Sequence, residues 1–431
     1  MASQPPAVLM VGTGEYTTGY VASTGAASTS DKKIGVVGLT MFDLRRRGKV
    51  GDLSMVGVSG KKYPAIREHL QKNIQNVYNN LNVTFSSFPS DDKTDPDAYK
   101  AAIEALPKGS CVTIFTPDPT HYPIALFAIQ RGHHVLITKP ATKLLKEHLH
   151  LLEEAEKHNV LLYVEHHKRY DPAYTDAKFR SKHLGDFNYW YSYMSQPKSQ
   201  LKTFASWAGK ESDISYYLNS HHIDICEWMV REHGWVPRLV RASGSTGISE
   251  SLGCQAGTED TITLMVDWEN EKPEHKGKRA TGVYTASWTA PQNAGVHSQQ
   301  HFHYIASNGE ISVNQAKRGY DVVADSYPEE TAEANTGVKW YNPFYMRYAP
   351  DEEGNFAGQA GYGYISFEKF VDYAKKINDG SITLEEIDRR GLPTGRNTVL
   401  TTAILEAGRR SLDEGGKSIE IVVKGDTVEL K

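Results

Sequence analysis

Lys139 stands between an apolar run, His134–Ile137, and Pro140. A proline biases the residue before it away from helical geometry, so the ammonium projects from a sheet edge. An amine there can polarise a carbonyl or hydroxyl oxygen and help relay its proton. The segment Thr116-Pro117-Asp118-Pro119-Thr120-His121 follows the apolar run Cys111–Phe115 in the same way. Both segments fall at the carboxyl edge of a sheet, where open α/β sheets bind ligands. Thr116, Pro117, His121 and Lys139 are therefore expected to touch a cofactor.

Val8–Gly19, VLMVGTGEYTTG, indicates which cofactor. The apolar strand ends at Gly12, and Gly14 follows. Glycines at these places permit a tight turn and let the backbone approach a pyrophosphate. In the G-x-G-x-x-G spacing the third glycine is displaced: Thr17 holds its place and Gly19 comes late. An ordinary strand-to-loop turn has a similar look, so the motif alone is weak. After a second strand come Ser59, Gly60, Lys61 and Lys62. An NAD-preferring site usually has an acidic residue there for the ribose 2′-hydroxyl. A hydroxyl and two cations suit a 2′-phosphate, favouring NADP(H), alone or with NAD(H); a solvated basic loop has the same composition.

Other groups have two readings each. His166 and His167 follow the strand Val160–Val164 and either line a pocket or cap the strand. Lys168 and Arg169 either anchor an anionic substrate or enter a structural ion pair. The aromatic stretch at 339–348, KWYNPFYMRY, closes a pocket or forms an interface patch. His221 and His222 point about 100° apart on a helix, so with Asp224 they are not expected to hold a metal.

These residues need a scaffold. Apolar runs at 7–12, 53–58, 111–115, 134–137 and 160–164 alternate with helical patterns at 98–106, 119–130 and from Leu145 to Ala155. Thr142 is placed to cap the last of these and Asn159 to end it. This alternation specifies a parallel sheet with helices on both faces. A small-residue insertion between Gly19 and Ile34 precedes a first long helix expected at 34–47. After about residue 170 longer strands take over, at 186–194, 239–245, 261–268, 283–288 and 301–306, implying a large, mostly antiparallel sheet. Helices are expected at 367–377 and 397–412.

At 431 residues, two domains are the default. The formal charge, 48 − 52 = −4, lacks the footprint of a nucleic-acid binder. The cysteines, Cys111, Cys226 and Cys254, are odd in number with no metal-ligand spacing, which favours a reducing compartment. No signal peptide and no membrane-spanning stretch is read, so a cytoplasmic location is expected.

The run T-P-x-x-x-H…A-x-x-A…G-x-H-V…K-P at 116–140 resembles the glucose-fructose oxidoreductase, inositol dehydrogenase and MocA family. That family usually has Glu-Lys-Pro where this chain has Thr138-Lys139-Pro140. HHKRYDP at 166–172 is similar to the family's R-[FY]-x-P, and the stretch at 403–421 to its C-terminal segment. The resemblance covers essentially the whole chain. It implies a Rossmann domain at 1–168 and a substrate-binding and oligomerisation domain at 169–431 with an open-faced sheet, the C-terminal helix packing back on the first, and a homodimer. The family motif D-x-G-x-H-x-x-D corresponds to Tyr217–Asp224, with Tyr217 replacing its first aspartate and Asn219 its glycine. The resemblance implies His221 as general acid/base, Lys139 as its partner on the reacting oxygen and Tyr217 as a relay. It places Lys139, His166, Lys168, Arg169, Asn219, His221 and Asp224 around the substrate. The opening MVGTGEYTTGY and the insertion are similar to fungal members that reduce sugar acids. The implied reaction is NAD(P)H-dependent reduction of D-galacturonate or D-glucuronate to the aldonate. The alternatives are an NAD(P)-dependent aldose 1-dehydrogenase and a non-catalytic cofactor-sensing regulator, which would not need Lys139 and His221 together.

Overall fold

The computed structural model describes residues 4–21, 26–27, 34–291, 298–316, 320–324, 337–425 and 427–431. Most of the insertion after Gly19 lies outside them, as do the side chains of 339–341. The first sheet holds β1 (Val8–Val11), β2 (Leu53–Val56), β3 (Ser86–Phe88), β4 (Cys111–Ile114), β5 (His134–Thr138) and β6 (Leu162–Glu165). All are parallel, in the order β3-β2-β1-β4-β5-β6. The order reverses between β1 and β4, which opens a crevice at their carboxyl ends. β1 and β4 are apolar and buried throughout because helices cover both faces.

The helices are α1 (Glu15–Thr18), α2 (Val37–Arg46), α3 (Tyr63–Leu70), α4 (Ala98–Glu104), α5 (His121–Ile129), α6 (Leu145–Lys157), α7 (Pro172–Ser181), α8 (Ser220–Val230), α9 (Tyr362–Asn378) and α10 (Val399–Asp413). The first long helix begins at Val37, not Ile34. α1 is a single turn ended by Gly19 at φ 76°. The chain returns where it left: Val36 N donates to Tyr16 O at 2.8 Å. A Cβ on Gly38 would lie 2.8 Å from Thr17 O. α2 thus packs closely on α1 from beyond the insertion.

Thr142 does not cap α6: its hydroxyl donates to Leu144 O. The Glu406 carboxylate, from α10, accepts from Leu145 N at 2.5 Å instead. Asn159 ends the following turn in the left-handed region, φ 50°.

The second sheet comprises β7 (Phe187–Pro197), β8 (Trp235–Thr246), β9 (Glu259–Asn270), β10 (Arg279–Ala290), β11 (Gln299–Ala306), β12 (Gly309–Asn314), β13 (Ile419–Lys424) and β14 (Thr427–Leu430). Their order is β12-β11-β7-β10-β9-β8-β13-β14. Every neighbouring pair is antiparallel except β7 with β10. Burial alternates residue by residue along β9, as a sheet with one covered face requires. Trp190, Trp268, Tyr284 and Phe302 from that face share a core with Ile223 and Cys226 of α8 and Ala403 of α10. Two helices return to the first sheet's layer: α9, whose Phe367, Phe370 and Val371 join Val8, Leu136 and Tyr163, and the C-terminal helix α10, whose Thr402 and Glu406 bond to α6. The three cysteines are free and buried. Among the described residues, no helix is long and apolar enough to cross a membrane.

Several buried histidines stay neutral. Burial lowers His133, His134, His148 and His166 to about 4 each. His148 ties α6 to the end of the chain through Thr402 Oγ1 and Gly395 O, both at 2.8 Å. In the unfolded chain these rings take up protons near pH 6.5. A group whose folded pKa is depressed has more protons bound when unfolded across that window. Stability therefore falls as pH drops from about 6.5 to about 4, each ring steepening the loss by up to about 1.4 kcal/mol per pH unit. Urea midpoints between pH 7.5 and 4.5 check this, and His148→Gln should flatten the curve.

Candidate active site

The carboxyl ends of β1, β4, β5 and β6 face the second sheet across a cavity of about 420 Å³, within the usual range for ligand sites of about 300–1,000 Å³. Lys139 follows β5, Thr116 and Pro117 follow β4, and Glu165 ends β6, with His167 and Lys168 in the next turn. Tyr217 and His221 enter from the start of α8, and Gln196 and Gln300 from β7 and β11. Tyr16, Tyr345 and Tyr362 complete an aromatic wall.

Lys139 and His221 thus meet at one cavity. The Lys139 ammonium donates to the Tyr217 carbonyl and lies 4.2 Å from the centre of that ring. The Tyr217 hydroxyl is met instead by Gln196 Nε2 at 3.5 Å. Tyr217 therefore holds Lys139 by its backbone and ring face. It also lies in a widened turn, Ser215–Asn219, before α8, so it does not share a regular helical face with His221. Desolvation holds His221 well below the usual histidine range, with Lys139, Lys168, His167 and His166 adding to the effect. Its Nδ1 and Gln196 Oε1 are buried with no hydrogen-bond partner among the described residues.

Four expected substrate contacts are engaged elsewhere. Arg169 and Asp224, 2% and 1% exposed, form a two-pronged ion pair at 2.9 and 2.7 Å. Burial opposes both charges, yet Arg169 holds Asp224 below the ordinary aspartate value. Asn219 is buried and donates to Ser215 Oγ at 3.1 Å. His166 is buried behind the cavity, 3.6 Å from Asp224. The histidine that reaches the cavity is its neighbour, His167, with Nδ1 at 2.9 and 3.1 Å from the Glu165 carboxylate. Glu165 as a site residue was not expected from the sequence; the Glu-x-His spacing at a strand end was the available signal. Lys168 does line the cavity and donates to Gln300. His121, fully buried, does not reach a cofactor; its ring nitrogens lie 3.0 Å from Pro140 O and 2.8 Å from Thr116 O. It braces the two loops that carry Lys139 and Thr116.

The dinucleotide residues fit their expected ligand. Gly12 sits at φ 106°, and a Cβ there would meet Phe115 O at 2.1 Å. Gly14 is exposed, with nothing within 4 Å of where its Cβ would be, so a phosphate can approach its backbone. Ser59 is half-buried at the end of β2, and Lys61 and Lys62 are exposed beside it.

A parallel sheet with a glycine turn at its switch point is the arrangement of dinucleotide-binding folds. Residues 7–166 match the model of the oxidoreductase family with an NAD-binding Rossmann fold, GFO_IDH_MocA. The scyllo-inositol 2-dehydrogenase (NADP(+)) IolW of Bacillus subtilis (strain 168) is 31% identical over 118 residues, 26% of this chain and 32% of that protein. The chain spans about a third of the length of the curated relatives it matches. Solved structures match nearly end to end. The apo scyllo-inositol dehydrogenase from Lactobacillus casei is 14% identical with a TM-score of 0.62, over 97% of this chain and 99% of that one. The inositol dehydrogenase homolog complexed with NADH and myo-inositol from Azotobacter vinelandii is 16% identical with a TM-score of 0.64, over 97% and 98%. This likeness shows the fold of both sheets.

Asp224→Asn should lower stability by about 3–5 kcal/mol, because it leaves the Arg169 charge buried and uncompensated. Chemical denaturation measures this. A variant of unchanged stability with only a raised KM would instead restore Asp224 to the substrate.

Proposed function

We propose that this protein uses NADPH to reduce the aldehyde of a sugar acid, with D-galacturonate or D-glucuronate giving the aldonate. The observation that carries this reading is the meeting of Lys139, His221 and a second ammonium, Lys168, at one cavity. The nicotinamide supplies hydride when bound, and Gly12, Gly14, Ser59, Lys61, Lys62, Thr116 and Pro117 are the residues proposed to hold the dinucleotide. Lys139 polarises the carbonyl oxygen. Neutral His221 accepts a hydrogen bond from a substrate hydroxyl. Lys168, 3% exposed, faces the carboxylate, a charge-assisted contact stronger than a neutral one. Lys61 and Lys62 favour a 2′-phosphate, with NADH as a weaker second donor.

One observation favours a second reading, the oxidation of a neutral polyol or aldose. Named relatives include inositol dehydrogenases. The two directions share a transition state, so the residues do not choose between them. The open face of the second sheet is the surface proposed for a homodimer.

Initial rates with NADPH against D-galacturonate and D-glucuronate, and with NADP⁺ against scyllo-inositol and D-galactose, separate the readings. Absence of uronate turnover would falsify the first. Lys139→Met should lower kcat by about 100-fold or more. Replacing Lys61 and Lys62 together with alanine should raise KM for NADPH by about tenfold, a loss of about 1.4 kcal/mol of phosphate contact, while KM for NADH stays unchanged.

A further inference from the structure

Two imidazoles face the cavity, and their surroundings differ. His221 stands among Lys139, Lys168, His166 and His167, all of which disfavour its charged form. His167 has a carboxylate behind it. Glu165, 2% exposed, approaches His167 Nδ1 with both oxygens, at 2.9 and 3.1 Å. A carboxylate at Nδ1 keeps the proton there, leaves Nε2 as the basic nitrogen and stabilises the imidazolium when it forms. The ring is clamped in place: Tyr362 stacks on it at 5.7 Å and 22°, and the rings of Tyr345 and His221 lie at 5.3 Å.

We propose that His167, positioned by Glu165, is the residue that exchanges the catalytic proton with the substrate oxygen, and that His221 remains a neutral hydrogen-bond acceptor. This rests on the hydride-transfer reading above. In reduction, the carbonyl carbon takes a hydride from the reduced nicotinamide, which is thereby oxidised. The C=O π pair moves onto oxygen, and the oxygen takes the proton from His167 Nε2. The imidazole becomes neutral and is reprotonated from water. Oxidation of an alcohol runs the same transfers backwards. The ionisable groups in contact with His167 are Glu165 from β6, His221 from α8, Tyr345 and Tyr362; Lys139 and Tyr16 line the same cavity, and His166 and Lys168 flank His167 in sequence. Among these, Glu165 provides the negative charge.

The test begins without turnover. In histidine-labelled protein, nitrogen NMR should show His167 as the Nδ1–H tautomer, titrating at higher pH than His221, and Glu165→Gln should lower that titration. With NADPH and D-galacturonate, His167→Gln should lower kcat by about 100-fold or more with KM little changed, whereas His221→Gln should chiefly raise KM. Glu165→Gln should shift the pH profile of kcat/KM along with the NMR titration, a movement that a purely structural role would not produce. His221 titrating above His167, or a His167→Gln enzyme of unchanged kcat, overturns the proposal. If the wild type turns over no uronate and no polyol, the hydride-transfer reading fails, and the titration order alone still decides which imidazole carries the charge.

Discussion

The site depends on the buried pairing of Arg169 with Asp224. Arg169 belongs to the turn after β6 and Asp224 to α8, so the pair joins the carboxyl edge of the first sheet to the helix under the second. The guanidinium also donates to Gly391 O and Asn397 O, both at 3.1 Å. Burying two ions costs several kcal/mol each, and only close geometry with further hydrogen bonds offsets it. The return is positional. His167 and Lys168 immediately precede Arg169, and His221 precedes Asp224 by about one helical turn. Fixing one ion pair therefore fixes three of the groups at the cavity relative to one another.

Much of this was legible in the chain, and the failures have physical causes. The β1, β4 and β5 strands read clearly because burial on both faces makes them mostly apolar. β3, SSF, is too short and polar to stand out, and its place comes from pairing with β2. β12, GEISVN, and β13, IEIVVK, are edge or near-edge strands whose exposed residues blur the alternation. Lys139 and His221 could be named because a strand end and a motif spacing placed them. The division between His166 and His167 could not be. The residue after a strand end has no fixed direction until its turn is formed, and here the 3₁₀ turn at 167–170 decides it. Arg169 and Lys168 had the same ambiguity: one faces a carboxylate in the core and the other faces the cavity, and neighbouring positions in a sequence carry no sign of which.

The insertion after Gly19 shows a related point. Read linearly, it separates the glycine turn from the first long helix. In space, Val36 bonds back to Tyr16, so α1 and α2 meet directly and the detour changes little at Gly12 and Gly14. Gly38 lets the helix beyond the insertion approach the Thr17 carbonyl of α1 closely.

The polar groups around the cavity are unevenly satisfied. Behind it, His121, His148, Arg169 and Asp224 all have partners at hydrogen-bond distance. His221 Nδ1, Gln196 Oε1 and, behind the cavity, His166 Nδ1 are buried and unmatched among the described residues, and each such atom costs about 1–3 kcal/mol. A folded chain carries such deficits where the surrounding structure over-determines the geometry, and they cluster at functional sites. The braces therefore explain how the orphans persist. They hold the cavity walls apart, so the unmatched groups cannot collapse onto one another. The deficits therefore lie just behind the cavity wall, where the rigid surroundings of Lys139 and the Arg169–Asp224 pair keep them in place.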